Sequence, residues 1–184
     1  MGGVKALRPF RGAPLVAQAL AQARRWSDQV VVSVRQPAQL AGAVEAPLAL
    51  DRPDVPGPLA GLAGALDHAA AIGAELLLTL PVDMPCLPAD LPQRLAAAMG
   101  PEHGAALPAA AGALQPVCGL WRLTARGQLA TYLASGQTSL RGFAAACGLV
   151  VVEFGPEAAA AFAGANTPEE LAQLESELSR TARS

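Results

Sequence analysis

A single carboxylate, Asp83, stands in the stretch Leu76 to Pro88, LLLTLPVDMPCLP, after an apolar run and among three prolines. A run of that length bounded by turn residues predicts a buried strand, and the prolines fix a rigid, non-helical exit from it. Asp83 is thereby presented just past the strand's carboxyl end. In an open parallel sheet ligands bind in the crevice beyond those ends, where a carboxylate can hold a metal ion against phosphate oxygens. An aspartate that only caps its loop fits the same local sequence.

Lys5 is the second residue of chemical interest. It is the only lysine among the 13 basic side chains, all others being arginine. A compact ammonium on a flexible stem serves a phosphate as a point charge where a planar guanidinium is bulkier. Gly2 and Gly3 precede it, and a glycine loop leading towards a helix cradles phosphates with its backbone N–H groups. Chance in an arginine-biased chain is the competing account of a lone lysine. A second carboxylate, Asp51, opens the segment DRPDVPGPLAG, in which Gly57 directly precedes a helix start whose free N–H groups face an anion or a base edge. A plain turn and helix start is the commoner meaning of GPLAG.

The elements that must position these residues follow from periodicity. Leu15 to Trp26 has helical spacing, Gln29 to Val34 reads as a strand, and Leu48 to Leu50 as a short strand delivering Asp51 to the same rim as Asp83. Leu59 to Ile72 is a helix with small residues that permit close approach to a sheet. Ala89 to Met99 is a further helix. Gly100 to Ala113 offers only an edge strand and a mobile loop, and Gln115 to Arg122 is a strand that Pro116 places at an edge or at the strand's start. Helices over Thr124 to Ala134 and Ser139 to Ala146 lead to a strand over Leu149 to Phe154. Thr167, Pro168, Glu169 and Glu170 form a capping box with proline at the first helical position. Asn166, just before it, is a turn residue within reach of the rim.

The chain has 184 residues, 52% hydrophobic and 15% charged, enough for one domain with a full core. Abundant alanine and glycine suit buried strands covered by closely packed helices. A net charge of −2, with arginines scattered singly, gives no electrostatic footprint for nucleic acid and no polybasic segment for a membrane surface. No apolar stretch approaches the ~20 residues of a membrane span, and the N-terminus has no hydrophobic signal region. The expectation is a soluble, cytoplasmic protein. Cys86, Cys118 and Cys147 are widely spaced, which suits small buried hydrophobes rather than disulfides or a zinc site.

Taken in order, Met1-Gly2-Gly3 with Lys5-Ala6-Leu7, DRPDVPGPLAGL, LPVDMPCLP, LQPVCGLWR, SLRGFA and AFAGANTPEEL resemble the molybdenum-cofactor guanylyltransferases of the MobA type over essentially the whole chain. The resemblance implies a single α/β domain over residues 1–184, a Rossmann-like nucleotidyltransferase fold whose mostly parallel sheet carries helices on both faces. It implies GTP and magnesium, with GMP transferred to molybdopterin and pyrophosphate released. Lys5 matches the lysine that contacts the GTP phosphates, Asp51 an acidic residue of nucleotide binding, and Asp83 the magnesium ligand. Gly2 and Gly3 fall in the phosphate loop, and Ser33 stands where members often have a nucleotide-contacting asparagine. Arg141, in SLRGFA, and Asn166 are further candidates. Val4, Gln115 and Gly164 depart from the family's usual aspartate, histidine and asparagine. The partners implied are GTP, molybdopterin and molybdoenzyme maturation chaperones, with a monomer or weak oligomer.

Family members begin with a hydrophobic strand and an L-A-G-G-x-x-x-R loop, and this sequence shows neither. The expectation is therefore a fold lacking its first strand, with Met1 an internal methionine or the protein a reduced relative. A cytidylyltransferase for the same cofactor, another small-molecule nucleotidyltransferase and a non-catalytic cofactor-binding protein are the alternatives.

Overall fold

The computed structural model describes residues 5–40, 42–165 and 167–181. In chain order it holds a tiny hairpin, β1 (Pro9–Phe10) and β2 (Ala13–Pro14), helix α1 (Leu15–Ala23), strands β3 (Val32–Val34) and β4 (Leu48–Leu50), and helix α2 (Leu59–Ala71). Strand β5 (Leu76–Thr79), helix α3 (Leu91–Ala98), and strands β6 (Ala105–Ala110), β7 (Ala113–Leu114) and β8 (Gly119–Arg122) follow. Helices α4 (Leu129–Ala134) and α5 (Leu140–Ala146), strand β9 (Leu149–Phe154) and helix α6 (Pro168–Thr181) complete it.

Strands β5, β8, β6 and β7 pair in that order, and β9 pairs with β6. Side chains alternate across this sheet as the pleat requires. Ala105, Leu107 and Trp121 join the core under α2, α4 and α5, while Ala106, Ala110 and Leu120 join the core under α3 with Leu91, Leu95 and Phe162. Helices therefore cover both faces, as expected. Each helix contributes a stripe at its own period: Leu59, Leu62, Ala63 and Leu66 of α2 are all buried.

The sheet is mixed rather than mostly parallel. β3 and β4 are parallel, as are β6 and β9, but β8 is antiparallel to both β5 and β6. β6 turns back through the hairpin partner β7, and so short a return cannot bring the chain round to a parallel neighbour. Within the stretch read as edge strand and mobile loop, Gly100 to Ala113, the residues Ala105 to Ala110 are instead wholly buried and pair on both sides. Alanine and proline give them little intrinsic strand preference, and burial between two helix layers decides their state. Of the two places Pro116 allowed β8, an edge or the strand's start, the structure takes the second: β8 is interior, and Pro116 lies before it, outside the hydrogen-bonded ladder.

β3 and β4 form their own two-stranded unit, and no hydrogen-bonded ladder joins them to the larger sheet among the described residues. Between β3 and β5 lies an apolar cavity of about 640 Å³, bordered by α1 and α2.

Candidate active site

Two polar pairs sit at the carboxyl ends of the strands. Lys5 Nζ donates to Asp83 Oδ2 at 2.5 Å, with side-chain exposures of 27% and 22%. Ser33 Oγ donates to Asp51 Oδ1 at 2.8 Å. The residues next to three of these four, Ala6, Val34 and Val82, pack together in one apolar cluster with Val16 and Leu20 of α1. A single hydrophobic plug thus fixes the base of both pairs and brings the early Lys5 to Asp83, which is 78 positions away.

Asp83 is held from several directions. Its backbone carbonyl accepts from Ala165 N at 3.0 Å, and a Cβ on Gly164 would come 3.4 Å from its Oδ2. The absence of a side chain at Gly164 therefore leaves room over the carboxylate. Helix α1 pins the loop that follows. The buried Gln22 donates its Nε2 to Leu87 O at 2.9 Å, and Trp26 Nε1 donates to Ala89 O at 3.1 Å. Sequence reasoning missed Gln22; two amides one turn apart, Gln18 and Gln22, on an otherwise apolar helix were the available signal.

Asp51 continues the β3–β4 ladder through Asp51 N to Val34 O at 2.9 Å. The first turn of α2 rests on its side chain: a Cβ on Gly61 would lie 3.0 Å from Ser33 Oγ and 3.4 Å from Asp51 Oδ1. One turn later, a Cβ on Gly64 would lie 2.1 Å from Leu50 O, so the helix meets the strand backbone directly. Gly57 holds φ +63 in the turn before α2, a left-handed conformation that favours glycine. The neighbouring Arg52 is committed elsewhere, paired with Asp54 and 3.9 Å from Asp67. Its hydrogen bond keeps the Asp54 carboxyl below the usual carboxylate range.

Arg141 stands exposed on α5 and makes no hydrogen bond to either pair among the described residues. Gly2, Gly3 and Asn166 lie outside the described residues. Cys118 and Cys147 offer no nucleophile: burial pushes the Cys118 thiol up to about 12 and the Cys147 thiol to about 11. Among the described residues no three His, Cys, Asp or Glu side chains gather as a metal cluster. The donor set is one accessible carboxylate beside one ammonium. That composition suits chemistry in which the substrate's own phosphates bring most of the oxygens.

An α/β layer structure with acidic residues and a lysine at its carboxyl rim has the layout in which open sheets take ligands, and the relatives below make the class a nucleotidyltransferase. The solved structure of molybdopterin-guanine dinucleotide biosynthesis protein A from Archaeoglobus fulgidus superposes with TM-score 0.72 at 21% identity, covering 96% of this chain and 91% of that one. The 2-C-methyl-D-erythritol 4-phosphate cytidylyltransferase of Thermus thermophilus does so with TM-score 0.69 at 21% identity, over 96% and 93%. The model of the MobA-like NTP transferase domain matches residues 1–154, and the chain belongs to that family. A molybdenum cofactor guanylyltransferase of Cereibacter sphaeroides is 38% identical over 184 residues, 99% of this chain and 92% of that protein. One from Bordetella pertussis is 37% identical over 183 residues, 96% and 90%.

Proposed function

We propose that this nucleotidyltransferase transfers GMP from GTP to molybdopterin, forming the guanine dinucleotide form of the molybdenum cofactor and releasing pyrophosphate. The observation that carries the reading is the Lys5–Asp83 pair at the sheet's rim, in a chain similar over nearly its full length to proteins named as guanylyltransferases for this cofactor.

In the reaction an oxygen of the molybdopterin phosphate attacks the α-phosphorus of GTP, and the bond from that phosphorus to the bridging oxygen of pyrophosphate breaks. No protein nucleophile is required, so positioning and charge neutralisation carry the step. Asp83 is the residue to hold magnesium: a single carboxylate with room above it fits an ion that takes its remaining oxygens from water and phosphate. Magnesium, when bound, supplies charge neutralisation at the phosphate oxygens. Lys5 moves from Asp83 to the departing pyrophosphate, where its point charge offsets the developing negative charge. Asp51, braced by Ser33 and by the first turn of α2, accepts hydrogen bonds from the nucleoside.

The test is transfer of GMP to molybdopterin by the full-length protein and its Asp83→Ala variant, followed as pyrophosphate release. The variant is expected to lose magnesium-dependent transfer, and near-normal turnover refutes Asp83's role. Titration of GTP against CTP, each with magnesium, checks the base; preference for CTP makes the protein a cytidylyltransferase. Molybdopterin binding without pyrophosphate release makes it a binding protein.

A further inference from the structure

Helix α1 is bonded to both segments that carry the Lys5–Asp83 pair, through the two amides of an otherwise apolar helix. Gln18 Nε2 donates to Phe10 O at 3.0 Å, and Gln22 Nε2 donates to Leu87 O at 2.9 Å. The glutamines are one turn apart and share a face of the helix. Phe10 belongs to the segment of the lysine, and Leu87 to the loop of the aspartate.

The aspartate loop does not fix its own position. Pro81, Pro85 and Pro88 donate no backbone hydrogen bond, and the loop lies outside every strand ladder. Among the described residues its backbone is tied to other segments at three carbonyls. Asp83 O accepts from Ala165 N at 3.0 Å, Leu87 O from Gln22, and Ala89 O from Trp26 Nε1 at 3.1 Å. Two of these ties come from α1. Pro85, between Leu87 and Asp83, stiffens the path from one to the other. On the lysine side Arg8 N donates to Lys5 O at 3.1 Å and Leu15 N to Arg8 O at 2.9 Å, so a turn joins Lys5 to the hairpin that Gln18 holds.

α1 packs on the same two segments. Val16 and Leu20 cluster with Ala6 and Val82, and Leu15 with Phe10 and Cys86. Apolar contact is non-directional and lets surfaces slide. A hydrogen bond is met only near 2.9 Å and near linearity, so it fixes register. Gln22 is the one amide or charged side chain buried among the described residues. A leucine would fill its space without the cost of burying an amide; what the amide adds is direction.

We infer that Gln18 and Gln22 are positioning residues: together they set the lysine segment and the aspartate loop in register on one helix face, and so bring Lys5 Nζ to Asp83 Oδ2. The inference concerns the geometry of the pair. Its consequence for turnover rests on the GMP-transfer reading.

Lys5 is the only lysine, so ¹⁵N at lysine Nζ gives a single side-chain ammonium resonance. The difference in that resonance between a protein and its Asp83→Asn counterpart measures the contact. Gln18→Met and Gln22→Met keep length and remove the donor. Tyr132→Phe is the control, since it deletes one donor to a distant carbonyl, Ser139 O at 2.9 Å, in another cluster. Each glutamine variant is expected to shrink the Asp83-dependent difference by about half or more, and Tyr132→Phe to leave it unchanged. Gln18 is only half-buried, so Gln18→Met stays folded and its result decides alone if Gln22→Met does not fold. Three outcomes overturn the inference: no Asp83-dependent difference in the parent, a folded glutamine variant that keeps most of it, or an equal loss in Tyr132→Phe. The value of kcat/KM for GMP transfer should fall about tenfold in both glutamine variants. Full turnover beside a lost contact counts against the roles given to Lys5 and Asp83 in the reaction, and not against the positioning.

Discussion

Lys5→Met separates the two tasks assigned to the lysine. Its ammonium lies 2.5 Å from Asp83 Oδ2, on the carboxylate proposed to hold the metal, and so competes with any cation there. A buried charge-assisted hydrogen bond contributes about 1.5–3 kcal/mol. Both side chains are about a quarter exposed, 27% and 22%, and solvent screening reduces the contribution to about 1 kcal/mol. Removing the ammonium should therefore tighten binding of Mn²⁺, the spectroscopic stand-in for magnesium, about fivefold. The same change removes a point charge from the phosphates and should weaken GTP binding by about tenfold, a loss near 1.4 kcal/mol. Electron paramagnetic resonance of free Mn²⁺ and calorimetric titration of GTP read the two effects separately. Methionine keeps most of the apolar stem, so packing around Ala6 is retained. Tighter metal with weaker nucleotide is the signature; unchanged or weaker Mn²⁺ binding refutes the competition, and unchanged GTP affinity refutes the phosphate role.

Gly64→Ala places a methyl 2.1 Å from Leu50 O, a backbone atom that cannot swing aside. On an exposed helix the change stabilises by up to ~1 kcal/mol, but here overpacking should cost about 1–3 kcal/mol net and lower Tm by roughly 2–12 °C; a Tm at or above the parent's contradicts the close packing of α2 on β4. Thiol labelling at pH 8 should modify Cys86 first and leave Cys118 and Cys147 unreacted until the protein unfolds, since burial holds their thiols at about 12 and about 11. The sign of the accompanying pH effect is fixed: these thiols are neutral when folded, so their contribution is complete below the unfolded value of about 8.5 and is lost as pH rises from there through 11 to 12. Urea midpoints that rise over that range contradict it.

Much of this molecule is written in local sequence. Asp83 follows a strand and precedes a proline-fixed loop because a short apolar run and three prolines leave few other conformations. The strand Leu48–Leu50 delivers Asp51 as its spacing predicts. The Thr167–Glu170 box forms both of its reciprocal bonds, 3.1 and 3.2 Å, since capping is decided within four residues. Period and turn chemistry are short-range forces, and they act wherever the residues occur.

What only the tertiary structure decided is where non-local burial outweighs those preferences. Alanines and a proline at Ala105 to Ala110 become a fully buried strand because two helix layers exclude water from them. β8 runs antiparallel in the sheet's interior because a hairpin leads into it. Gln22 anchors the loop after Asp83, and Gly61 and Gly64 let α2 rest on β4, through contacts between segments distant in sequence. The pairing of Lys5 with Asp83 is of the same kind. Sequence nominated each residue for its charge, but a lysine reaches an aspartate 78 positions away only after Ala6, Val34 and Val82 have closed the core between them.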